Sequence, residues 1–379
     1  MSLQKNPKKT LHIITSLQNG GAESFLFTLI KEGNRKNVVV ISLKDDWGYG
    51  KRLEAMGVKV MVLGMQASRP NLASFFQLRK IIKKEQPEVV FTWLHHASLF
   101  AGLAAYFASV PKIIWGVRDA YMQPEKEKIS TRVVVRVSAL FSYFIPDHII
   151  YVAQKAREVH ESIYYDKKKS VVIPNGYNLQ RFTIDQDARL AIRQELDIPE
   201  NIFLVGMIAR FDPMKDHESF IKAARNLIDK HENIHFLLCG SGISEDNAEL
   251  MKMIQTHNIS KYISFAKTRV DIEKIYTALD VFLLSSVTEA FPNVLCEAMA
   301  CGTPCVSTNV GDAALIVNDT GAIVKIADHK QMAVEIEKLL LMPDEIRKQL
   351  KLDVREHIEH TFPIKKIVKR YMDFLPSVD

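Results

Sequence analysis

The strongest constraint in this 379-residue chain is an alternation that runs twice: short β-branched runs separated by helical patterns, over 10–173 and again over 202–324. Strands alternating with helices of this length build a mostly parallel, doubly wound sheet. In the first half the pattern predicts strands at 10–16, 37–43, 58–63, 88–92, 112–117, 148–152 and 170–173, with helices at 22–32, 74–84, 97–108, 130–144 and 154–164. Asn175-Gly176 ends that unit, and a polar linker over 185–201 leads to a restart. Strands then follow at 202–209, 234–239, 263–265, 281–284, 304–307 and 322–324, and Pro363 separates a closing helix over 363–374. The chain exceeds one ordinary core. The reading is α/β with two Rossmann-like domains, 1–174 and 175–362.

Composition narrows the class further. With 47% hydrophobic and 25% charged residues, the chain is of the soluble globular kind. A net charge of +6 suits a phosphate-rich ligand or an anionic membrane surface and does not argue for nucleic acid. Cys239, Cys296, Cys301 and Cys305 fall in predicted core elements without a paired Cys-x₂-Cys knuckle, so they read as buried thiols. The start, Met1 to Lys9, is polar, and no secretory leader is expected. The most apolar long stretch, 133–145, contains Arg136 and stops at Pro146, too short to span a bilayer. With Arg132, Arg136, Lys126 and Lys128 it makes either a basic amphipathic face for a lipid-linked acceptor or a core-packing helix of the first domain.

The chemistry concentrates at strand ends. In Glu289-Ala-Phe-Pro-Asn-Val-Leu-Cys-Glu297, two carboxylates flank a Pro-containing turn, with the strand 281–284 before it and Ala-Met-Ala-Cys301-Gly302-Thr303-Pro304 behind. Glu289 lies in the strand-to-helix loop and Glu297 about one turn into a helix over 293–300. In an open α/β sheet that loop is where ligands bind, and the helix start offers free N–H groups to an anion. One acid on each side of such a start suits a ligand with many hydroxyls and an attached phosphate, such as a sugar nucleotide.

Glu-x₇-Glu followed by Ala-Met-Ala-Cys-Gly-x-Pro resembles the signature of the family 4 retaining glycosyltransferases, which have the GT-B fold. The other landmarks fall in that family's order along nearly the whole chain. The resemblance implies two Rossmann-like domains facing across a cleft, with the closing helix, 363–379, packing back on the first. It implies transfer of a sugar from a nucleotide diphosphate sugar, UDP-sugar favoured, to an acceptor hydroxyl with retention. The family's commonest setting is polysaccharide, lipopolysaccharide or lipid-linked glycan assembly, at the cytoplasmic face of a membrane.

Residue by residue, Arg210-x₄-Lys215 resembles the family's diphosphate clamp: two fixed cations for the charge that develops on the leaving group. By the same resemblance Glu297 takes the ribose hydroxyls, Glu289 the donor sugar's hydroxyls, and the backbone at Phe291, Pro292, Asn293 and Val294 meets sugar and phosphate, although Pro292 has no N–H. Asp216 stands where the family usually has Gly. Gly240-Ser241-Gly242 would let the backbone approach the nucleotide, and Thr268 follows the next strand, where relatives hold the base through main-chain atoms. In the first domain Asn19-Gly20-Gly21 precedes a helix start that would face the diphosphate; it is not G-x-G-x-x-G, so the dinucleotide fingerprint is absent. His95 and His96 follow the fourth strand, and His96 is the preferred acceptor-side group. Arg118-Asp119 departs from the His-containing segment common in relatives; Arg118 is a candidate for a phosphate on a lipid-linked acceptor. Asp185-Gln-Asp187 resembles a metal motif of another transferase fold but sits in the polar linker, so no metal or other cofactor is expected. The rival classes are a Rossmann oxidoreductase, a catalytically idle partner of another transferase, and another GT-B enzyme such as a sugar-nucleotide epimerase or phosphorylase.

Overall fold

Each β-branched run of the first half becomes a strand, and the central ones, 10–14, 38–42 and 89–93, are buried on both faces, as continuous Val/Ile runs demand. The computed structural model describes residues 9–18, 20–33, 35–44, 48–65, 71–119 and 128–375. It divides into two units, Met1–Gly176 with Ile364–Asp379, and Tyr177–Pro363. In the first the order is β1 (Thr10–Ile14), α1 (Gly21–Glu32), β2 (Val38–Ser42), α2 (Tyr49–Ala55), β3 (Lys59–Val62), α3 (Leu72–Glu85), β4 (Val89–Trp93), α4 (His95–Phe107), β5 (Lys112–Val117), α5 (Ile129–Phe141), β6 (His148–Tyr151), α6 (Gln154–Ser162) and β7 (Ser170–Val172). Among the described residues these strands form one parallel sheet in the order β3-β2-β1-β4-β5-β6-β7.

The second unit repeats the plan: α7 (Gln186–Glu195), β8 (Phe203–Ile208), α8 (His217–Ile228), β9 (Ile234–Cys239), α9 (Ala248–Thr256), β10 (Ile263–Lys267), α10 (Ile272–Ala278), β11 (Val281–Leu284), α11 (Asn293–Ala300), β12 (Cys305–Thr308), α12 (Ala313–Val317), β13 (Ala322–Val324), α13 (His329–Leu340) and α14 (Asp344–Thr361). Its sheet, again parallel, runs β10-β9-β8-β11-β12-β13. The strand order reverses between β1 and β4 in one sheet and between β8 and β11 in the other. Those reversals are the crevices where open α/β sheets bind ligands.

The last helix, α15 (Ile364–Met372), belongs to the first unit. Ile364, Ile367, Val368 and Tyr371 enter the same core as Phe25, Phe91 and Trp93. Trp93 stacks on Phe91 at 4.7 Å, Phe25 meets Tyr371 at 5.3 Å, and Trp93 Nε1 donates to His12 Nδ1 at 3.2 Å. The four cysteines are free and buried.

Two expectations need correction, and one element lies outside them. The polar stretch after Asp185 is not a solvated linker. It folds into α7, with the Asp185 carboxylate capping the helix by accepting from Ala188 N–H at 2.9 Å. The helix buries Ala188 and Ile192 and is also held by charge: Arg189 and Arg193 each donate to Asp280 at 2.7 Å, and the Asp280 carboxylate also accepts from Leu204 N–H at 2.8 Å. The short helix α2 was not read from the sequence; Arg52 lies over the rings of Phe27 and Tyr49 there, at 4.3 and 4.8 Å. Finally, α4 begins two residues early, so His95 and His96 occupy its first turn instead of a loop.

Candidate functional site

In the second unit the loops leaving β8 and β11 carry the charged residues singled out above. Past β8, Pro213–Lys215 forms one 3₁₀ turn, capped by the Asp212 carboxylate, which accepts from Met214 N–H at 2.9 Å. Arg210 Nε donates to Asp212 at 3.0 Å while the Arg210 side chain stays 66% exposed. Burial draws the Asp212 carboxyl upward, and the bonds from Met214 and Arg210 outweigh it, leaving the group below its ordinary range. Lys215 turns toward the other loop: its Nζ donates to Glu289 Oε1, with both side chains mostly buried. Ser286 Oγ donates to that same carboxylate oxygen at 2.9 Å. Ser285 Oγ donates to the Lys215 carbonyl and Val287 N–H to the Met214 carbonyl, each at 2.9 Å. Side chain and backbone thus stitch the two loops together at the reversal.

Asp216 adopts φ 49° and ψ 58°. That left-handed region tolerates Asp after Gly and Asn, and its carboxylate caps α8 by accepting from Ser219 N–H at 3.1 Å. Behind it His217 is buried against Phe211, ring centroids 5.2 Å apart, and burial lowers its pKa to about 4.

Two glycines let neighbouring loops close in. Gly240 has φ +147°, and a Cβ there would lie 2.0 Å from the Ala209 carbonyl oxygen, next to Arg210. Its N–H donates to the Lys267 carbonyl at 2.8 Å, and Ser241 O accepts from Phe211 N–H at 2.7 Å. The Gly240-Ser241-Gly242 turn therefore supports the Arg210 loop directly, and exposed Thr268 follows the residue it bonds. Gly311, past β12, has φ +50°; a Cβ there would sit 2.1 Å from the Ala290 oxygen and 2.6 Å from that of Glu289. Asp312 N–H then donates to Ala290 O at 3.0 Å. Only glycine allows this approach, so Gly311 fixes the loop that carries Glu289.

Glu297 shares no bond with the Lys215–Glu289 pair. Tyr276 on α10 donates its hydroxyl to Glu297 Oε2 at 2.9 Å. Burial pushes the Glu297 carboxyl above its ordinary value, with the tyrosine bond pulling the other way. α11 starts at Asn293 without a side-chain cap, Leu295 N–H donates to the Pro292 carbonyl at 3.1 Å, and the start carries the partial positive charge that attracts an anion. Phe291 is buried against Phe362 at 5.5 Å and Pro292 is buried as well, so both side chains pack the helix start. Asn293 Oδ1 accepts from the Tyr177 hydroxyl.

In the first unit, Gly20 precedes α1 in extended backbone, φ −157°, with Gly21 opening the helix. A Cβ at Gly20 would lie 2.3 Å from Glu23 Oε2, so a carboxylate of the helix's own first turn folds back over that start. Asn19 lies outside the described residues. At the fourth strand His96 is exposed, its pKa lowered by partial desolvation and by the charges of His95 and Lys44, against Asp119. His95 is buried and its Nε2 bonds Asp119 Oδ1 at 2.8 Å. The His160 ring stacks 5.0 Å from His95, and burial lowers the His160 pKa to about 4. Among the described residues, His95, Asp119 and His160 are the group that could hold a metal ion, with their ligand atoms all within 4.8 Å.

Arg118 is committed elsewhere than to a free phosphate site. It donates to Tyr371 Oη at 3.0 Å and to Asn175 Oδ1, and lies 4.4 Å over the Phe25 ring. Its guanidinium ties α15 to the carboxyl end of β5. Ser286, Tyr276, Gly311 and His160 escaped the sequence reading, and Asp119 was named there only beside Arg118, without a role of its own. Of these, Ser286 and Gly311 could have been found, since each stands two or three residues past a strand.

Two family models match the chain: "Glycosyltransferase Family 4" over residues 19–181 and "Glycosyl transferases group 1" over 188–357. The chain is 26% identical over 309 residues to the UDP-Gal:alpha-D-GlcNAc-diphosphoundecaprenol alpha-1,3-galactosyltransferase of Escherichia coli, covering 80% of this chain and 79% of that protein. It is 25% identical over 350 residues to the N,N'-diacetylbacillosaminyl-diphospho-undecaprenol alpha-1,3-N-acetylgalactosaminyltransferase of Campylobacter jejuni, covering 88% and 90%. Among solved structures it is similar in fold to Anabaena HepE in complex with UDP, at a TM-score of 0.85 and 20% identity, over 96% of this chain and 98% of that one.

Proposed function

The chain belongs to the family 4 glycosyltransferases, of GT-B fold, and on that premise we propose that it moves a sugar from a UDP-sugar to an acceptor hydroxyl with retention. The observation that carries the reading is the Lys215–Glu289 ion pair, which joins the loops past β8 and β11 at the second sheet's reversal. The second unit then holds the donor. Arg210 and Lys215 neutralise the diphosphate, Glu289 meets the sugar hydroxyls, the α11 start faces phosphate, and Glu297 accepts from the ribose. The Lys215–Glu289 and Arg210–Asp212 pairs give each cation a carboxylate neighbour, so donor binding exchanges these bonds for bonds to phosphate and sugar.

The chemistry requires few groups. The bond from the anomeric carbon to the diphosphate oxygen breaks, and its electron pair stays on that oxygen, where the two cations stabilise it. The acceptor oxygen attacks on the same face, and its proton passes to the departing phosphate. The two cations supply at the diphosphate the charge that a divalent ion would supply, and we read the transfer as metal-independent. His96, on the first turn of α4, is the acceptor-side group. The E. coli and C. jejuni relatives carry a diphosphoundecaprenol acceptor in their names; by analogy the acceptor here is a lipid-linked glycan, met at the cytoplasmic face of a membrane.

A thermal-shift screen of nucleotide sugars tests the donor. UDP or a UDP-sugar at 100 times its Kd should add about 2.7 kcal/mol of stability, in EDTA as in its absence. No shift with any uridine nucleotide would remove the reading. A shift or a turnover lost in EDTA and restored by a divalent ion would end the metal-independent part and turn attention to His95, Asp119 and His160.

A further inference from the structure

α5 is apolar on two opposite sides. At about 100° per residue, Val135, Ser138 and Ala139 share the buried side. Ile129, Val133, Val137 and Leu140 share the other, and they are 77%, 55%, 36% and 63% exposed. A helix that only covers a sheet needs one apolar stripe; the second stripe has no use in the fold. Arg132 and Arg136 are exposed along one edge of it, with no ion pair among the described residues.

The neighbouring helices extend the same surface. α4, packed beside α5, ends in exposed Tyr106 and Phe107, and α3, packed beside α4, exposes Leu72 and Phe76. Arg79 of α3 donates to the Phe107 carbonyl at 2.9 Å, and Lys80, Lys83 and Lys84 are exposed further along α3. The acidic residue on these three helices is Glu85, and it is buried between Lys9 and Lys59. The outer surface therefore combines apolar and aromatic side chains with cations and shows no carboxylate. This is the chemistry of a helix lying in the interface of an anionic bilayer. A second copy of the chain fits less well, because a symmetric contact would set this basic surface against itself.

We propose that the outer surface of α3, α4 and α5 docks on an anionic phospholipid bilayer, with the Ile129–Val133–Val137–Leu140 stripe entering the interface. The proposal rests on the lipid-linked acceptor reading above and names the surface that meets the lipid. α5 follows β5 and returns antiparallel to it, so its first turn lies at the carboxyl edge of the sheet. His95, His96 and Asp119 stand at that edge too. Docking along α5 would thus hold this edge near the headgroups, where the diphosphate of a lipid-linked acceptor is found.

Co-sedimentation of the full chain with vesicles decides it. Vesicles containing phosphatidylglycerol should carry the protein down, and phosphatidylcholine vesicles should do so far less. Val133→Glu with Leu140→Glu, and separately Arg132→Glu with Arg136→Glu, should each weaken the phosphatidylglycerol binding about tenfold or more, while the circular dichroism spectrum and the thermal shift with UDP stay as in wild type. Wild-type protein left in the supernatant, or variants that sediment equally well, would overturn the proposal. So would a concentration-dependent dimer abolished by Val133→Glu with Leu140→Glu, which would give the surface to a second copy. Vesicle binding without any UDP shift would sink the donor assignment and leave the docking surface standing.

Discussion

The two units share a strand order but not a chemistry at its reversal. In the second, the loops past β8 and β11 carry Arg210, Lys215 and Glu289, locked together by an ion pair and backbone bonds. In the first, β1 leads to a bare glycine pair over which Glu23 folds, and β4 leads to His95 and His96 on a helix's first turn. The comparison teaches that topology chooses the place and the loop residues choose the ligand. A crevice that carries two cations can exchange their carboxylate partners for a diphosphate. One lined by histidines and glycine offers hydrogen bonds and close backbone approach, which suits hydroxyls.

The largest test of that contrast is removal of a cation. Lys215→Ala or Arg210→Ala should lower kcat by about 10²–10³ with the fold intact, as read by steady-state transfer from a UDP-sugar. Turnover like wild type in both variants would erase the difference between the two crevices. Next comes Gly311→Ala, which touches no ligand in this reading. Its Cβ has no room against Ala290 and Glu289, so displacement of the Glu289 loop should cost up to about 10² in kcat/KM; an unchanged rate would mean that the loop's position is not critical.

On the first unit's side, His96→Ala should cost about tenfold, the equivalent of one hydrogen bond, seen mainly in acceptor KM with donor binding unaltered. A loss as large as that of Lys215→Ala would assign His96 to the reacting atoms. The smallest effect is on stability. His160 in one unit and His217 in the other have folded pKa values lowered to about 4, so the unfolded chain binds more protons between there and about 6.5. Stability is then full above pH 6.5 and falls as pH drops toward 4, by at most about 1.4 kcal/mol per pH unit for each histidine. Urea midpoints at pH 7 and pH 5 check this, and His160→Gln and His217→Gln should each flatten the slope.

Much of this was legible beforehand because its signals are local. Parallel strands buried on both faces write continuous apolar runs, and β11 at Val281–Leu284 was read to the residue for that reason. α7 was not: Ala188, Ile192 and Leu196 do recur every four residues, but they are few among polar neighbours, and the arginine pair that reaches Asp280 leaves no periodicity behind. The same holds within the site. Glu289 and Lys215 could be named from their motifs, but the bond between them and the close approach of Gly311 to Ala290 exist only once separate loops meet. Arg118 shows the converse: its position past a strand suggested a ligand, and its partners are Tyr371 and Asn175.

That fastening has a consequence for biosynthesis. The core around Trp93 and Phe25 includes side chains of α15, which leave the ribosome after the whole of the second unit. The half translated first must therefore wait, with an open groove beside α1, until the last helix arrives. The half translated second has every strand it needs before then. Order of synthesis and order of completion run in opposite directions in this molecule.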